Sequence, residues 1–521
     1  MTEGVVASSS GDWSLKHVVS IFTVAIVFLG LSAAVAGKWL ERVGPRLVGC
    51  IAALCWGGGF LVGYFGIVLH QLWLLYLGYG VIGGCGLGLG YVSPVSTLLK
   101  WFPDRRGMAA GMAIMGFGGG AIIGAPLKQA LIREFYRAPE YLGAAADVPL
   151  VTEGGKRYAV RDGERREVVV VSASDVSQMI VKGEPGVYVV GTGRVGVAET
   201  FLALGVGYFL VMLLASLSYR LPPADWKPQG WSPPDASAAA RRMITSHDID
   251  ADAALRTPQF YLVWIVLCFN VTAGIAILSV AKTMMTELFG TTLPGVVDRR
   301  FADTFVLMTS VANMAGRFFW ASASDRIGRQ RTYTIFFVGG IALYLSIPWT
   351  AMQEALGPSA TWLWLFYAVS MLIFTMYGGG FATIPAYLAD LFGTRYVGGI
   401  HGRLLTAWST AGVLGPLAIA SLRERALAGA IHTLAGTVSP TRFEATFGAP
   451  LDRLEALIAE KSVTIPRLME IAPPGTVDPS SSLYSTTMFL MAGLLAAALV
   501  ANLLIRPVAR PTDDRSCDGR L

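Results

Sequence analysis

The sequence predicts an all-α membrane protein built from two related helical bundles, on the strength of its composition, its long apolar segments and an internal repeat. Of 521 residues, 54% are hydrophobic and only 15% charged, whereas soluble domains average about 25% charged. The 60 Gly fit membrane helices, which carry more Gly than soluble ones. A bilayer core takes roughly 20 apolar residues per helix. Eleven segments meet that length: about 15–36, 47–69, 72–99, 107–132, 197–219, 258–286, 301–323, 332–351, 361–387, 398–421 and 484–506. Soluble helices rarely run this long without a polar face.

The connections set the orientation, because cytoplasmic loops collect Lys and Arg. One set holds Lys38, Arg42 and Arg46; Lys100, Arg105 and Arg106; Arg220, Lys227, Arg241, Arg242 and Arg256; Arg326, Arg329 and Arg331; Arg395; and the Arg residues after Ile505. The alternate short connections hold little beyond His70, Arg299 and Arg300. The first set is therefore cytoplasmic, which accounts for the net charge of +6 without nucleic acid. The long connections 136–196 and 424–483 fall on the opposite face. The expected organisation is an N-terminal bundle (1–219) holding the first insertion, a cytoplasmic linker (220–257), a C-terminal bundle (258–506) holding the second, and a cytoplasmic tail (507–521).

The two halves repeat. Glu41-Arg42-Val43-Gly44 matches Asp325-Arg326-Ile327-Gly328 at an offset of 284. Gly88, Pro94, Trp101, Gly107 and Gly124 match Gly379, Pro385, Phe392, Gly398 and Gly415 at an offset of 291. Parallel repeats of whole bundles are a transporter architecture, with the site at the interface of the halves. The second half opens with a span at 258 that has no counterpart in the first half. Eleven spans are therefore expected to be twelve, the first helix being lost through a truncated or mis-started reading frame.

These features resemble the major facilitator superfamily. The loop from Gly37 to Arg46 is similar to its Gly-x-x-x-Asp-Arg-x-Gly-x-Arg signature, with Glu41 in place of Asp. The runs KWFPDRRG (100–107), GMAIMGFGGGAIIGAP (111–126) and NMAGRFFWASASD (313–325) look like those of the oxalate/formate antiporter family of bacterial anion exchangers. The resemblance implies a multi-pass antiporter of the cell inner membrane that exchanges small carboxylate anions by alternating access, without a cofactor. In its oxalate-type members an Arg of the eighth helix and a Lys of the eleventh hold the substrate's carboxylates. Counting the spans here as the second to twelfth, Arg317 matches the Arg. The Lys has no match: the middle of 398–421 reads Thr406, Trp408, Ser409 and Thr410, and Arg403 lies near the cytoplasmic end. A monovalent anion such as formate, lactate or pyruvate is then as plausible as oxalate.

Arg317 stands out on physical grounds too. Eight residues before Asp325, it lies about 12 Å of helix from the cytoplasmic end, near the membrane middle, where a cation marks a functional site unless backbone carbonyls fix it. Asn313 and Ser310 extend a polar stripe one and two turns away. Tyr91 and Tyr377, beside the Gly/Pro stretches read as helix-breaking, and Trp408 are candidate cavity-lining aromatics. Lys128 and Lys282, near the outer ends of their spans, read as snorkelling cations. Glu41, Arg42, Asp325, Arg326 and Arg329 are candidate gating residues, since ion pairs on the cytoplasmic face can latch one conformation and break in the other. The alternative for those charges is plain positive-inside bias.

Other chemistry is disfavoured. Gly116 to Ala121 fits a dinucleotide fingerprint in letters, but that motif needs a preceding strand, and small residues at helical spacing instead let membrane helices approach. Gly84 with Gly88 and Gly86 with Gly90 read the same way. The five Cys show neither metal-ligand spacing nor a disulfide pair, and no nucleophile–base pair points to an enzyme. No Asp, Glu or His lies in the middle of a span, which favours exchange or facilitated diffusion over proton symport. In the insertions, 167–171 and 187–190 read as short strands. Residues 450–471 read as an amphipathic helix broken by Pro466, and the two insertions could dock on each other as a cap. The rivals are a nitrate/nitrite or proton-linked monocarboxylate carrier within the class and, outside it, a non-transporting receptor or inactive fragment.

Overall fold

A computed structural model of the chain describes residues 13, 15–153, 156–161, 163–172, 176, 181–223, 225–232, 243–245, 247–459 and 462–508. Arg241, Arg242 and the tail beyond 508 lie outside them. The chain divides into two units, 1–93 with 121–220 and 94–120 with 221–521.

Eleven long helices form where apolar runs were read. They are α1 (Leu15–Val43), α2 (Pro45–Val68), α3 (Leu72–Trp101), α4 (Arg106–Phe135) and α5 (Val197–Ser218). After a single turn, α6 (Ala251–Ala254), come α7 (Pro258–Phe289), α8 (Arg299–Ile327), α9 (Arg329–Leu356), α10 (Ala360–Phe392) and α11 (Val397–Ala435). The short helices α12 (Pro440–Phe447), α13 (Leu454–Ala459) and α14 (Ile465–Ile471) lead to α15 (Ser485–Leu504). A helix satisfies its own backbone, which lipid cannot do. Among the described residues, ten helices are long and apolar enough to cross a membrane. The exception is α8, whose Arg300, Asp303, Arg317, Asp325 and Arg326 make it polar.

The repeat survives as backbone geometry. α1 passes to α2 through Gly44 (φ 84°, ψ 163°), and α8 passes to α9 through Gly328 (φ 93°, ψ 145°). That region of backbone space is essentially open to Gly alone, so the signature's Gly is what permits a one-residue turn between two helices. The paired glycines of α3 act as small-residue contacts in the first unit. A Cβ at Gly84 would lie 2.6 Å from the Ala25 carbonyl of α1, and one at Gly86 would lie 2.6 Å from the Trp56 nitrogen of α2.

Three expectations are corrected. The Gly/Pro stretches do not break their helices: α10 runs unbroken through Gly378, Gly379, Gly380 and Pro385. Pro94 sits inside the helical Gly84–Trp101 stretch of α3, whose irregularity is instead a π-helical Tyr76–Gly83. Neighbouring helices re-satisfy backbone groups freed by Pro in membranes. The helix read over 450–471 ends at Ala459, and Pro466 opens the next one in its first turn, where a missing N–H costs nothing. Finally, the helix read over 398–421 continues to Ala435 as α11.

The first insertion is an antiparallel sheet of β1 (Tyr141–Gly143), β2 (Leu150–Glu153), β3 (Lys156–Arg161), β4 (Glu164–Val171) and β5 (Gly186–Val189), in the order β1-β5-β4-β3-β2. The two strands read from the sequence are β4 and β5, paired through Val168 with Val189 and Val170 with Val187. Ala159, Val168, Val187 and Val189 form a small core on one face, and Val171 with Tyr188 forms another on the opposite face. Lys156 pairs with Glu167 at 2.9 Å, which raises the ammonium above its usual value.

The linker before α7 is docked in the second unit. The Thr245 N–H donates to the Asp390 carbonyl at 2.8 Å and the Ile249 N–H to the Phe392 carbonyl at 2.9 Å. The Asp248 carboxylate accepts from the Arg395 N–H at 3.0 Å, and Asp252 pairs with Arg403 at 2.5 Å. Ile249, Ala251 and Ala254 are buried beneath these contacts.

Candidate functional site

The polar stripe of α8 faces inward. Thr309, Asn313, Arg317 and Ser324 are buried, while Phe318 and Phe319 on the other side are exposed, as a membrane helix with a lipid-facing side should be. Ser310 is half-buried and its hydroxyl donates to the Val306 carbonyl at 3.4 Å.

Arg317 is 2% exposed. Its Nε donates to Asn313 Oδ1 at 3.0 Å, one helical turn away, and a terminal nitrogen donates to the Ile114 carbonyl of α4 at 3.3 Å. The ring of Phe381 lies 5.1 Å from the guanidinium carbon and that of Phe117 5.5 Å, both within cation–π range. Trp408 of α11 meets both rings, at 6.1 Å from Phe117 and 6.0 Å from Phe381. Tyr377 neighbours both Trp408 and Arg317. The structure thus brings Arg317, Asn313, Tyr377 and Trp408 together in one unit. Tyr91 belongs to the other unit.

Phe117 and Phe381 were not singled out from the sequence. A signal existed for the first: Phe117 and Trp408 are 291 positions apart, the offset of the repeat. Tyr377 seats its ring against Gly274 of α7, where a Cβ would collide with it. On that side Tyr377, Asn270 and Tyr344 help line a cavity of about 10 Å³, room for about one water. Asn270 is buried and its Nδ2 has no hydrogen-bond partner among the described residues.

The polar run of α11 is bound into its own unit. Thr406 accepts the Trp264 indole N–H at 3.0 Å, and the Thr410 hydroxyl donates to the Thr406 carbonyl at 2.9 Å. Arg403 is engaged with Asp252 of the linker before α7. Lys282 pairs with Asp303 and Lys128 is exposed.

At one end of α4, α8 and α10 the charges form a chain. The Asp325 carboxylate accepts from the Gly107 N–H at 2.8 Å and the Met108 N–H at 2.9 Å, capping the start of α4 from α8. Unpaired N–H groups and the positive helix end make that position favourable for a carboxylate. Arg329 pairs with Asp325 at 2.7 Å and with Asp390 at 2.9 Å, and Asp390 also pairs with Arg106 at 2.9 Å. Arg329 and Asp390 are 6% and 5% exposed, so each needs the other's charge. Of the candidate gating residues, Asp325 and Arg329 are in this chain, Arg42 and Arg326 are exposed, and Glu41 is half-buried in the first unit. Arg106 and Asp390 complete it and were not singled out from the sequence, because a pair separated by 284 positions leaves no local pattern.

The sequence profile of the Major Facilitator Superfamily matches residues 6–146 and 187–416. The oxalate:formate antiporter of Oxalobacter formigenes is 25% identical over 410 residues, 77% of this chain and 75% of that protein. Apicoplast pyruvate carrier 1 of Toxoplasma gondii is 25% identical over 415 residues, 74% of this chain and 66% of that protein. Monocarboxylate transporter 12 of Mus musculus is 37% identical over 101 residues, 18% of this chain and 20% of that protein. The fucose:proton symporter of Escherichia coli shares the fold, with a TM-score of 0.51 at 14% identity over 94% of this chain and 91% of that one. The chain belongs to the major facilitator superfamily, a family of multi-pass membrane transporters.

Proposed function

From that premise, we propose that this transporter exchanges small carboxylate anions by alternating access across a cell inner membrane, with Arg317 as the anion anchor. The observation that carries the reading is one buried guanidinium on α8, covered by the rings of Phe117 and Phe381 with Trp408 packed against both. A cation at membrane depth is costly and is retained where it does work. The Asn313 amide oxygen fixes its orientation, and the rings stabilise it while excluding water. A carboxylate gains a charge-assisted hydrogen bond there. The likeness to an oxalate:formate antiporter and to monocarboxylate carriers agrees with that chemistry.

The substrate carries one carboxylate in contact with one cation. Thr406, Trp408, Ser409 and Thr410 supply no second charge in the middle of α11, and Arg403 is held by Asp252. Formate, lactate and pyruvate therefore fit better than oxalate. The Arg106–Asp390–Arg329–Asp325 chain is the cytoplasmic latch, because it fastens the start of α4 to the ends of α8 and α10 with contacts that can break as a set.

Uptake of radiolabelled formate, lactate, pyruvate and oxalate into proteoliposomes, with and without an internal counter-anion, tests the reading. Monocarboxylate uptake stimulated by the internal anion is the expected result. Uptake driven by an inward proton gradient alone would replace exchange with proton symport, and no flux of any of the four would remove the carboxylate assignment.

A further inference from the structure

Two glycines on the same helix meet different surroundings. A Cβ at Gly118 of α4 would lie 2.7 Å from Arg317 Nε and 2.9 Å from its Cδ, whereas one at Gly116 would meet nothing within 4 Å. The space left by the missing side chain at 118 is where the Arg317 side chain lies. Held there, Arg317 reaches the Ile114 carbonyl at 3.3 Å, and Phe117 covers it at 5.5 Å. Ile114, Phe117 and Gly118 occupy little more than one turn of α4, so a single turn seats, bonds and covers the guanidinium.

The Ile114 carbonyl is a neutral acceptor, whereas a carboxylate brings a full negative charge and adds ion pairing to the hydrogen bond it accepts from the guanidinium. A carboxylate arriving at this guanidinium therefore outcompetes the carbonyl for the same N–H. The competition has a conformational consequence, since a ligand shifts a two-state equilibrium only by what it binds differently in the two states. We infer, on the reading of Arg317 as anion anchor, that Gly118 is a positioning residue that lets the unloaded Arg317 tie itself to α4. The substrate's carboxylate releases that turn by taking the Arg317 N–H from Ile114. The empty carrier is held and the loaded carrier is freed, so the device couples movement to occupancy and makes the protein an exchanger rather than a leak.

Gly118→Ala and Gly116→Ala, compared in proteoliposomes loaded with labelled formate, test this inference. Efflux is measured into buffer with formate outside (exchange) and without it (net efflux). Gly116→Ala is expected to keep the wild-type ratio of the two. Gly118→Ala is expected to raise net efflux relative to exchange by about fivefold, the scale of one hydrogen bond. Equal ratios in the two variants would overturn the inference while leaving the anion reading intact, whereas absence of formate exchange in the wild-type protein removes both. Should Gly118→Ala fail to assemble, amide hydrogen exchange of the wild-type 114–120 segment carries the test. Formate is expected to lower its protection, and unchanged protection overturns the inference.

Discussion

The turn between α1 and α2 and the turn between α8 and α9 have nearly the same backbone and different wiring. Both are one-residue turns made by a Gly at positive φ, and both follow an acid–Arg pair, Glu41-Arg42 in one and Asp325-Arg326 in the other. Yet Asp325 caps α4 and pairs with Arg329, whose repeat position in the first copy is Pro45. A repeat preserves the shape of a turn with one residue, Gly. It does not preserve electrostatics, which depend on side chains one position further on. The buried ion-pair chain forms at the second copy of the turn.

That asymmetry predicts unequal responses to equal changes. Arg329→Ala leaves Asp325 and Asp390 without their shared cation and is expected to cost about 3–5 kcal/mol. Arg46→Ala, at an exposed position of the first copy, should cost less than about 0.5 kcal/mol. Thermal unfolding in detergent compares the two, and similar losses would erase the distinction. Asp325→Asn weakens charge-assisted hydrogen bonds worth about 1.5–3 kcal/mol and should slow exchange at least about tenfold, against a change under about twofold for Glu41→Gln. A transport assay of the pair decides, and a larger defect in Glu41→Gln would move the latch to the first copy. Gly44→Ala and Gly328→Ala should instead be alike, each costing about 1–3 kcal/mol, since the backbone is what the two turns share. Asp252→Ala, which frees the docked linker from Arg403, should cost under about 1 kcal/mol because the carboxylate is half exposed. A loss as large as that of Arg329→Ala would make the linker part of the latch.

What was legible in the sequence follows the same division between backbone and side chain. Apolar length located all eleven long helices, and the Gly of the repeat located both turns. Helical spacing placed Asn313 one turn from Arg317, where they bond at 3.0 Å. Phe381 was hidden because an aromatic residue in an apolar helix looks the same whether it faces lipid or a guanidinium. The pairing of Arg106 with Asp390 was hidden because it joins segments far apart in the chain. The Gly/Pro stretch of α10 misled because in water it would break a helix, while packed membrane helices tolerate it.

The central claim is that Arg317 holds the anion, and formate exchange by Arg317→Gln, with Arg317→Lys beside it, tests this most directly. Gln keeps a hydrogen-bond donor but loses the charge, so exchange should fall by about ten- to a hundredfold, the scale of a lost charge-assisted contact. Lys should retain part of the activity, because the charge remains although the fork geometry does not. Wild-type exchange in Arg317→Gln would contradict the account and leave the guanidinium a packing element of α8.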